Sequence, residues 1–171
     1  MMKQTEIFSA IPPELSLEII SAADQYDKQL YKELLNELAK VRKTRPVVIQ
    51  RMPRTERHPY IIAMLSQPPA ASLAFRTIAN WLLETQQSML VMFLDDIGIK
   101  HDGKGTVEDI PSEPQDKDKV ELAVSRLLAT HPRLNVIVYL HSFCAMAPDD
   151  WPYLRKILSE KTELKIPEHF I

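Results

Sequence analysis

The sequence predicts an all-α protein, a single-domain bundle of about seven or eight helices in which helices stack as pairs, and three observations carry that expectation. The first is a cap. All three glycines, Gly98, Gly103 and Gly105, fall in one short window, and Gly98 stands between Leu94 and Ile99 as the left-handed residue of a Schellman motif does, with Ile99 folding back on Leu94. That spacing makes Ser88 to Ile97 a helix. Without it, Met89 to Leu94 followed by Asp95 and Asp96 reads equally as a buried parallel strand delivering carboxylates to an active site. The second is composition: thirteen prolines against three glycines suit helices with proline-marked starts and stops, not a nucleotide-binding sheet that needs glycine where a strand turns over a phosphate. The third is apolar spacing at helical period in most of the segments between those prolines.

Residues 1–10 read as an N-terminal tail. Pro12-Pro13-Glu14 then opens a helix, with proline tolerated in the first turn and an acid favoured by the helix dipole, leading through Leu15, Ile19 and Ile20 to about Ala23. Asp27 caps the next helix, where Leu30, Leu34, Leu38 and Val41 form one stripe widened by Tyr31 and Leu35, while Lys28, Lys32, Glu33, Glu37 and Lys40 face water. From Thr44 to Pro69 five prolines allow only short helices, near Val47 to Met52 and Thr55 to Ser66; Val47-Val48-Ile49 also reads as a strand, without a partner. Ser72 caps a helix that turns Ala74, Ile78, Trp81 and Leu82 inward. Gln86 to Ile97 is apolar on nearly every side, as a central helix is.

Residues 100–116 carry no periodicity and form the longest loop. Asp116 or Asp118 starts an amphipathic helix through Val120, Ala123, Val124, Leu127 and Leu128. Leu134 to Ala145 is β-branched and aromatic around Val136 to Tyr139, so helix and strand both remain open, with length and the lack of breakers on the side of helix. Asp149-Asp150-Trp151-Pro152 begins a last helix to about Glu160, and residues 163–171 are a C-terminal tail. A faint repeat pairs Leu82-Leu83-Glu84-Thr85 and its following apolar segment with Leu127-Leu128-Ala129-Thr130 and its own.

A chain of 171 residues, 45% hydrophobic with a net charge of −2, is long enough for one real core and has no global pull toward nucleic acid or anionic lipid. The single cysteine, Cys144, forms no internal disulfide, and the first residues hold no apolar stretch, so the cytoplasm is the expected compartment and a membrane is not an expected partner. No nucleophile elbow, phosphate loop, zinc-protease or dinucleotide fingerprint occurs. An enzyme is the less favoured class and no cofactor is expected.

Charge is unevenly spread. Residues 40–58 have a net charge of +6 and residues 84–121 a net charge of −6. The basic run, with Arg42, Lys43, Arg45, Arg51, Arg54, Arg57 and His58, is the candidate partner or polyanion site, since arginine reads phosphate and carboxylate in a bidentate way. The opposed segments satisfy each other within one chain, face solvent, or meet between chains; only Tyr60 lies near for base stacking. Asp95, Asp96, His101 and Asp102 are the candidate metal group, with Asp95, His101 and Asp102 its core. Adjacent aspartates on a helix diverge, however, which keeps Asp95 and Asp96 from sharing an ion, and no metal is expected. Aligning Gly105 with the invariant glycine of a calcium loop puts Lys100, Lys104 and Pro111 at ligand positions and excludes that geometry. His141 and Cys144 share a helical face at the spacing of a ligand pair or a thiol with its base, inside an apolar segment where cysteine acts as a small hydrophobe.

Ile11-Pro12-Pro13-Glu14-Leu15-Ser16-Leu17-Glu18-Ile19-Ile20 resembles the opening of an F-box, the adaptor-binding helix pair of ubiquitin ligase receptors. The resemblance covers about ten residues, and the second proline-led helix and the later valine-cysteine and tryptophan positions are replaced by Asp24 to Lys43. The favoured function is a non-enzymatic protein-interaction or scaffold module, binding another protein or its own copies as a homo-oligomer. Nucleic-acid or polyanion binding through residues 40–58 is the alternative, and a metal-dependent hydrolase at Asp95 to Asp102 the third.

Overall fold

Ten α-helices and two short 3-10 turns make up the regular structure of residues 1–147 and 151–166, which the computed structural model describes, and no strand occurs among those residues. The all-α class holds, with more helices than the seven or eight expected. Contacts gather into two compact units, residues 4–84 and residues 85–166 together with 1–3.

The first unit contains α1 (Gln4–Ala10), α2 (Pro13–Tyr26), α3 (Lys28–Val41), α4 (Pro46–Arg51), α5 (Arg54–Leu65) and α6 (Ala71–Thr85). Residues 1–10 are therefore not a tail. α1 is held by burial of Thr5, Ile7 and Phe8, a helix of two turns being too short to display a period. α2 opens as its prolines and Glu14 require and buries Leu15, Ile19 and Ile20. The Trp81 indole N–H donates to Glu18 of α2 at 2.9 Å, joining α6 to it. Ser72, expected to cap α6, lies inside its first turn, because a 3-10 turn at Pro68–Ala70 runs directly into the helix.

α3 is the central strut of this unit, packed against α2, α4 and α5. The Asp27 carboxylate caps it by accepting from the Leu30 N–H at 2.9 Å. Its stripe is buried as read from Leu30 to Leu38, but Val41 is 59% exposed. The helix stops there in a Schellman motif: Thr44 N–H donates to the Ala39 carbonyl at 2.9 Å and Lys43 N–H to Lys40 at 3.0 Å. The left-handed position is filled by Lys43, at φ 51, where glycine is the unstrained choice. α4 follows, with Ile49 alone turned inward. α5 continues through Pro59, whose missing N–H forfeits one bond next to the helix's first turn, where carbonyls stay in reach of water.

The second unit contains α7 (Gln87–Ile97), α8 (Lys117–Thr130), α9 (Arg133–Met146) and α10 (Pro152–Glu160). The expected cap on α7 is present: Gly98 has φ 78, Ile99 N–H donates to the Leu94 carbonyl at 2.8 Å, and Gly98 N–H donates to Asp95 at 3.1 Å. Segment 134–145 is helical. Every residue from Val136 to Cys144 is buried in α9, so its β-branched composition reflects burial on all sides and not strand pairing. Phe93, Tyr139, Phe143 and Trp151 pack edge-to-face, with Phe143 and Trp151 centroids 4.9 Å apart, the arrangement ring quadrupoles favour. Asp116 caps α8 by accepting from the Asp118 and Lys119 N–H groups.

Residues 163 and 164, expected to open a C-terminal tail, belong to a 3-10 turn at Thr162–Leu164 that buries Leu164. Asp149, Asp150 and residues 167–171 lie outside the described residues. The boundary between the units falls at Thr85, inside the first of the two helix pairs suggested by the repeat.

Candidate functional site

The seven side chains of the basic run do not act as one patch. Arg57 and His58 are buried, at 8% and 6% exposure. Arg57 Nε donates to the Tyr31 hydroxyl at 3.0 Å, and its Nη1 donates to the carbonyls of Gln50 at 2.9 Å and Met52 at 3.3 Å. The guanidinium thus satisfies orphan carbonyls at the end of α4 and ties them to α3. The Tyr31 hydroxyl also lies 3.0 Å from His58 Nε2. Burial first, and the Arg57 charge second, lower the His58 imidazole below its usual pKa. Neither residue is part of a binding surface.

Arg54 is exposed and its Nε donates to Asp24 at 2.7 Å. Burial pushes the Asp24 carboxyl upward, but the bonds from Arg54 and Lys28 outweigh it and hold the group below its usual range. Arg42 stacks over the Tyr60 ring, 3.9 Å from its centroid. Lys43, Arg45 and Arg51 remain: all are exposed, and none has a side-chain partner among the described residues.

Around these cations lie apolar groups that the charge pattern did not signal. Val41 is 59%, Val47 44%, Val48 49% and Tyr60 40% exposed. On α4, Arg51 is four residues from Val47 and three from Val48, so all three share one side of the helix. The α3–α4–α5 corner is therefore a mixed surface, valines and a tyrosine ring interleaved with Arg42, Lys43, Arg45 and Arg51. A valine run whose only inward residue is Ile49 was the available sequence signal; reading it as a short helix hid which two valines face out.

The candidate metal group resolves into separate local contacts. Gly103 N–H donates to His101 Nδ1 at 3.0 Å, which leaves Nε2 carrying the proton that it donates to Asp95 at 2.9 Å. Asp96 goes to Arg126 of α8 instead, as the divergence of neighbouring helical residues requires. Asp102 Oδ1 accepts from the N–H groups of Lys104 at 2.8 Å and Thr106 at 3.0 Å, and those backbone bonds hold its carboxyl below the usual range. Among the described residues no three His, Cys, Asp or Glu side chains converge on a common point.

Cys144 is fully buried, and burial pushes its thiol up to about 12, far from the thiolate a nucleophile needs. His141 accepts from the Met2 N–H through Nδ1 at 3.1 Å. Two open hollows lie on the second unit; one of ≈ 370 Å³ is lined by Asp118, Glu121, Leu122 and Ser125. Among the described residues no helix is long and apolar enough to cross a membrane. No protein-family model, characterised protein or solved structure matches the chain. The ten-residue likeness to an F-box opening thus rests on the start of α2, where proline and glutamate serve the helix terminus.

Proposed function

We propose that the chain is a non-enzymatic protein-docking module that takes an acidic, apolar partner segment on the α3–α4–α5 corner. The carrying observation is the interleaving of exposed Val41, Val47, Val48 and Tyr60 with Lys43, Arg45 and Arg51. Exposed aliphatic groups gain from covering by aliphatic groups, and isolated cations among them select a partner with carboxylates at matching positions.

Nucleic acid is the weaker partner on magnitude. Four exposed cations not paired to an acid (Arg42, Lys43, Arg45, Arg51) release at most about four counterions, so the log–log salt slope is no steeper than about −4. The one aromatic ring present has one face covered by Arg42, which leaves no more than a single face for base stacking.

The test is fluorescence anisotropy of the full chain with three labelled probes: a short amphipathic peptide with leucines on one side flanked by glutamates, a DNA duplex, and a single-stranded RNA. The peptide is expected to bind, and Val48→Asp and Arg51→Glu are each expected to weaken it by about tenfold or more, equivalent to about 1.4 kcal/mol. Tighter binding of either nucleic acid than of the peptide overturns the proposal. So does elemental analysis that finds one tightly held divalent ion per chain, lost on His101→Ala and Asp102→Ala.

A further inference from the structure

The connection from α7 to α8 is the longest in the chain, and it is fastened at both ends. At the near end, the Asp102 turn closes on Thr106, with Asp102 N–H donating to the Thr106 carbonyl at 3.1 Å. Gly105, at φ +99, seats the backbone against Leu90, where an added Cβ would stand 2.6 Å from the leucine Cβ. At the far end, the Pro111 carbonyl accepts from the indole N–H of buried Trp151 at 2.9 Å. The Glu113 carboxylate caps α10, accepting from the N–H groups of Tyr153 at 2.9 Å and Leu154 at 2.7 Å. Between these fastenings lie Val107-Glu108-Asp109-Ile110. Glu108 and Asp109 are exposed and Val107 and Ile110 half-buried, and neither carboxylate has a side-chain partner among the described residues.

We infer that the segment Val107 to Ile110 of a second copy of this chain is the occupant of the α3–α4–α5 corner. This rests on the corner being a protein-docking surface. Glu108 and Asp109 of one copy face Lys43, Arg45 and Arg51 of another, while Val107 and Ile110 cover Val47 and Val48. Charge and apolar character agree on the two sides. The corner presents three cations without acids and exposed valines; the loop presents two carboxylates without bases, flanked by aliphatic residues. Three other acids of residues 84–121 are already paired: Asp96 with Arg126, Glu121 with Lys161, and Asp95 with His101.

The fastened loop has little freedom left to lose on docking, which lowers the ordering cost of association. Four residues on a corner bury less than a stable interface needs, so the contact is weak and depends on concentration and salt. Each copy carries one loop and one corner, so every loop–corner contact joins two unlike surfaces, one from each copy.

Sedimentation velocity on the full chain at low salt is the deciding experiment. The expected result is a mass that climbs above the 19.7 kDa of one chain as concentration rises, and that returns to it in high salt. Two variants change exposed residues only: Arg45→Glu with Arg51→Glu reverses the corner, and Glu108→Lys with Asp109→Lys reverses the loop. Each alone is expected to stay monomeric with unchanged circular dichroism. Mixed in equal amounts they are expected to form heterodimers, because each supplies the intact element the other lacks. A wild-type chain that stays at the mass of one copy at every concentration overturns the inference, as does association that neither variant weakens. If the wild type is monomeric yet still binds the acidic amphipathic peptide in a Val48- and Arg51-dependent manner, the second-copy occupant falls and the docking corner stands. If neither assembly nor peptide binding occurs, both fall.

Discussion

Replacing Arg57 by methionine separates structural from exposed cations in the basic run. The guanidinium makes three bonds, to the Tyr31 hydroxyl and to the Gln50 and Met52 carbonyls, and hydrogen bonds from a charged donor contribute about 1.5–3 kcal/mol each. Simple addition overstates the loss. Methionine relieves the cost of burying a charge, and the Gln50 and Met52 carbonyls at the end of α4 regain water once the guanidinium is gone. The expected destabilisation is therefore about 2–3 kcal/mol, and for a chain of this length a fall in Tm of roughly 5–10 °C. Arg57→Lys keeps the charge but cannot span three acceptors with a single ammonium, so it restores less than half of the loss. Arg54→Ala removes one exposed pair and is expected to cost clearly less than Arg57→Met, and Arg51→Ala to leave stability unchanged within error. Urea unfolding followed by circular dichroism measures all four, and amide exchange reports whether Val47 to Arg51 lose protection with Arg57. An Arg57→Met chain as stable as wild type, or an Arg51→Ala chain as damaged as Arg57→Met, refutes the division of the run into buried and exposed members.

Four further outcomes follow from the same geometry. His58 has a lowered pKa from burial and then from Arg57, so the folded chain binds fewer protons there than the unfolded one; its contribution is complete above about pH 6.5 and is lost as pH falls through the folded value, and urea midpoints at pH 7.5 and 5.5 should differ by less in His58→Gln than in wild type. Lys43→Gly relieves the left-handed backbone at φ 51 and should raise stability by up to about 1 kcal/mol while weakening the acidic peptide, and a fall in stability would show that Lys43 is not strained. Glu113→Ala removes both acceptors at the start of α10 and should cost about 1 kcal/mol in thermal denaturation. Cys144 should react with a thiol reagent only at the rate of global opening, and rapid labelling of the native chain would contradict its burial.

The helical class was legible because its signals are local. Gly98 with Ile99, Asp27 before Leu30, and Pro12-Pro13-Glu14 each determine a helix end through backbone bonds made within a few residues, and no tertiary contact has to be known for them to work. α1 was not legible, since two turns held by Thr5, Ile7 and Phe8 derive from the surface they cover and not from a period. The end of α3 was not legible either. A lysine fills the position that glycine marks elsewhere, and the stripe through Leu38 pointed to Val41 as a core residue when the helix had already run past the surface it packs on.

The candidate site was legible only as composition. Seven basic side chains between residues 40 and 58 look alike in a charge count, but what decides their use is what each one meets: a tyrosine hydroxyl and two carbonyls for Arg57, a carboxylate from α2 for Arg54, a ring face for Arg42. Those partners lie as far as thirty residues away in sequence, beyond the reach of any local pattern. Removing them, and Lys40, which pairs with Glu37, leaves three cations beside exposed valines, a smaller and more apolar site than the run suggested. This shift weighs against polyanion binding on two independent grounds, because it lowers the number of phosphates the surface can neutralise and adds aliphatic area that a phosphate backbone does not cover. The same apolar area is what the proposed protein docking would cover, and Glu108 and Asp109, without side-chain partners among the described residues, carry the charge that the proposed second-copy contact requires.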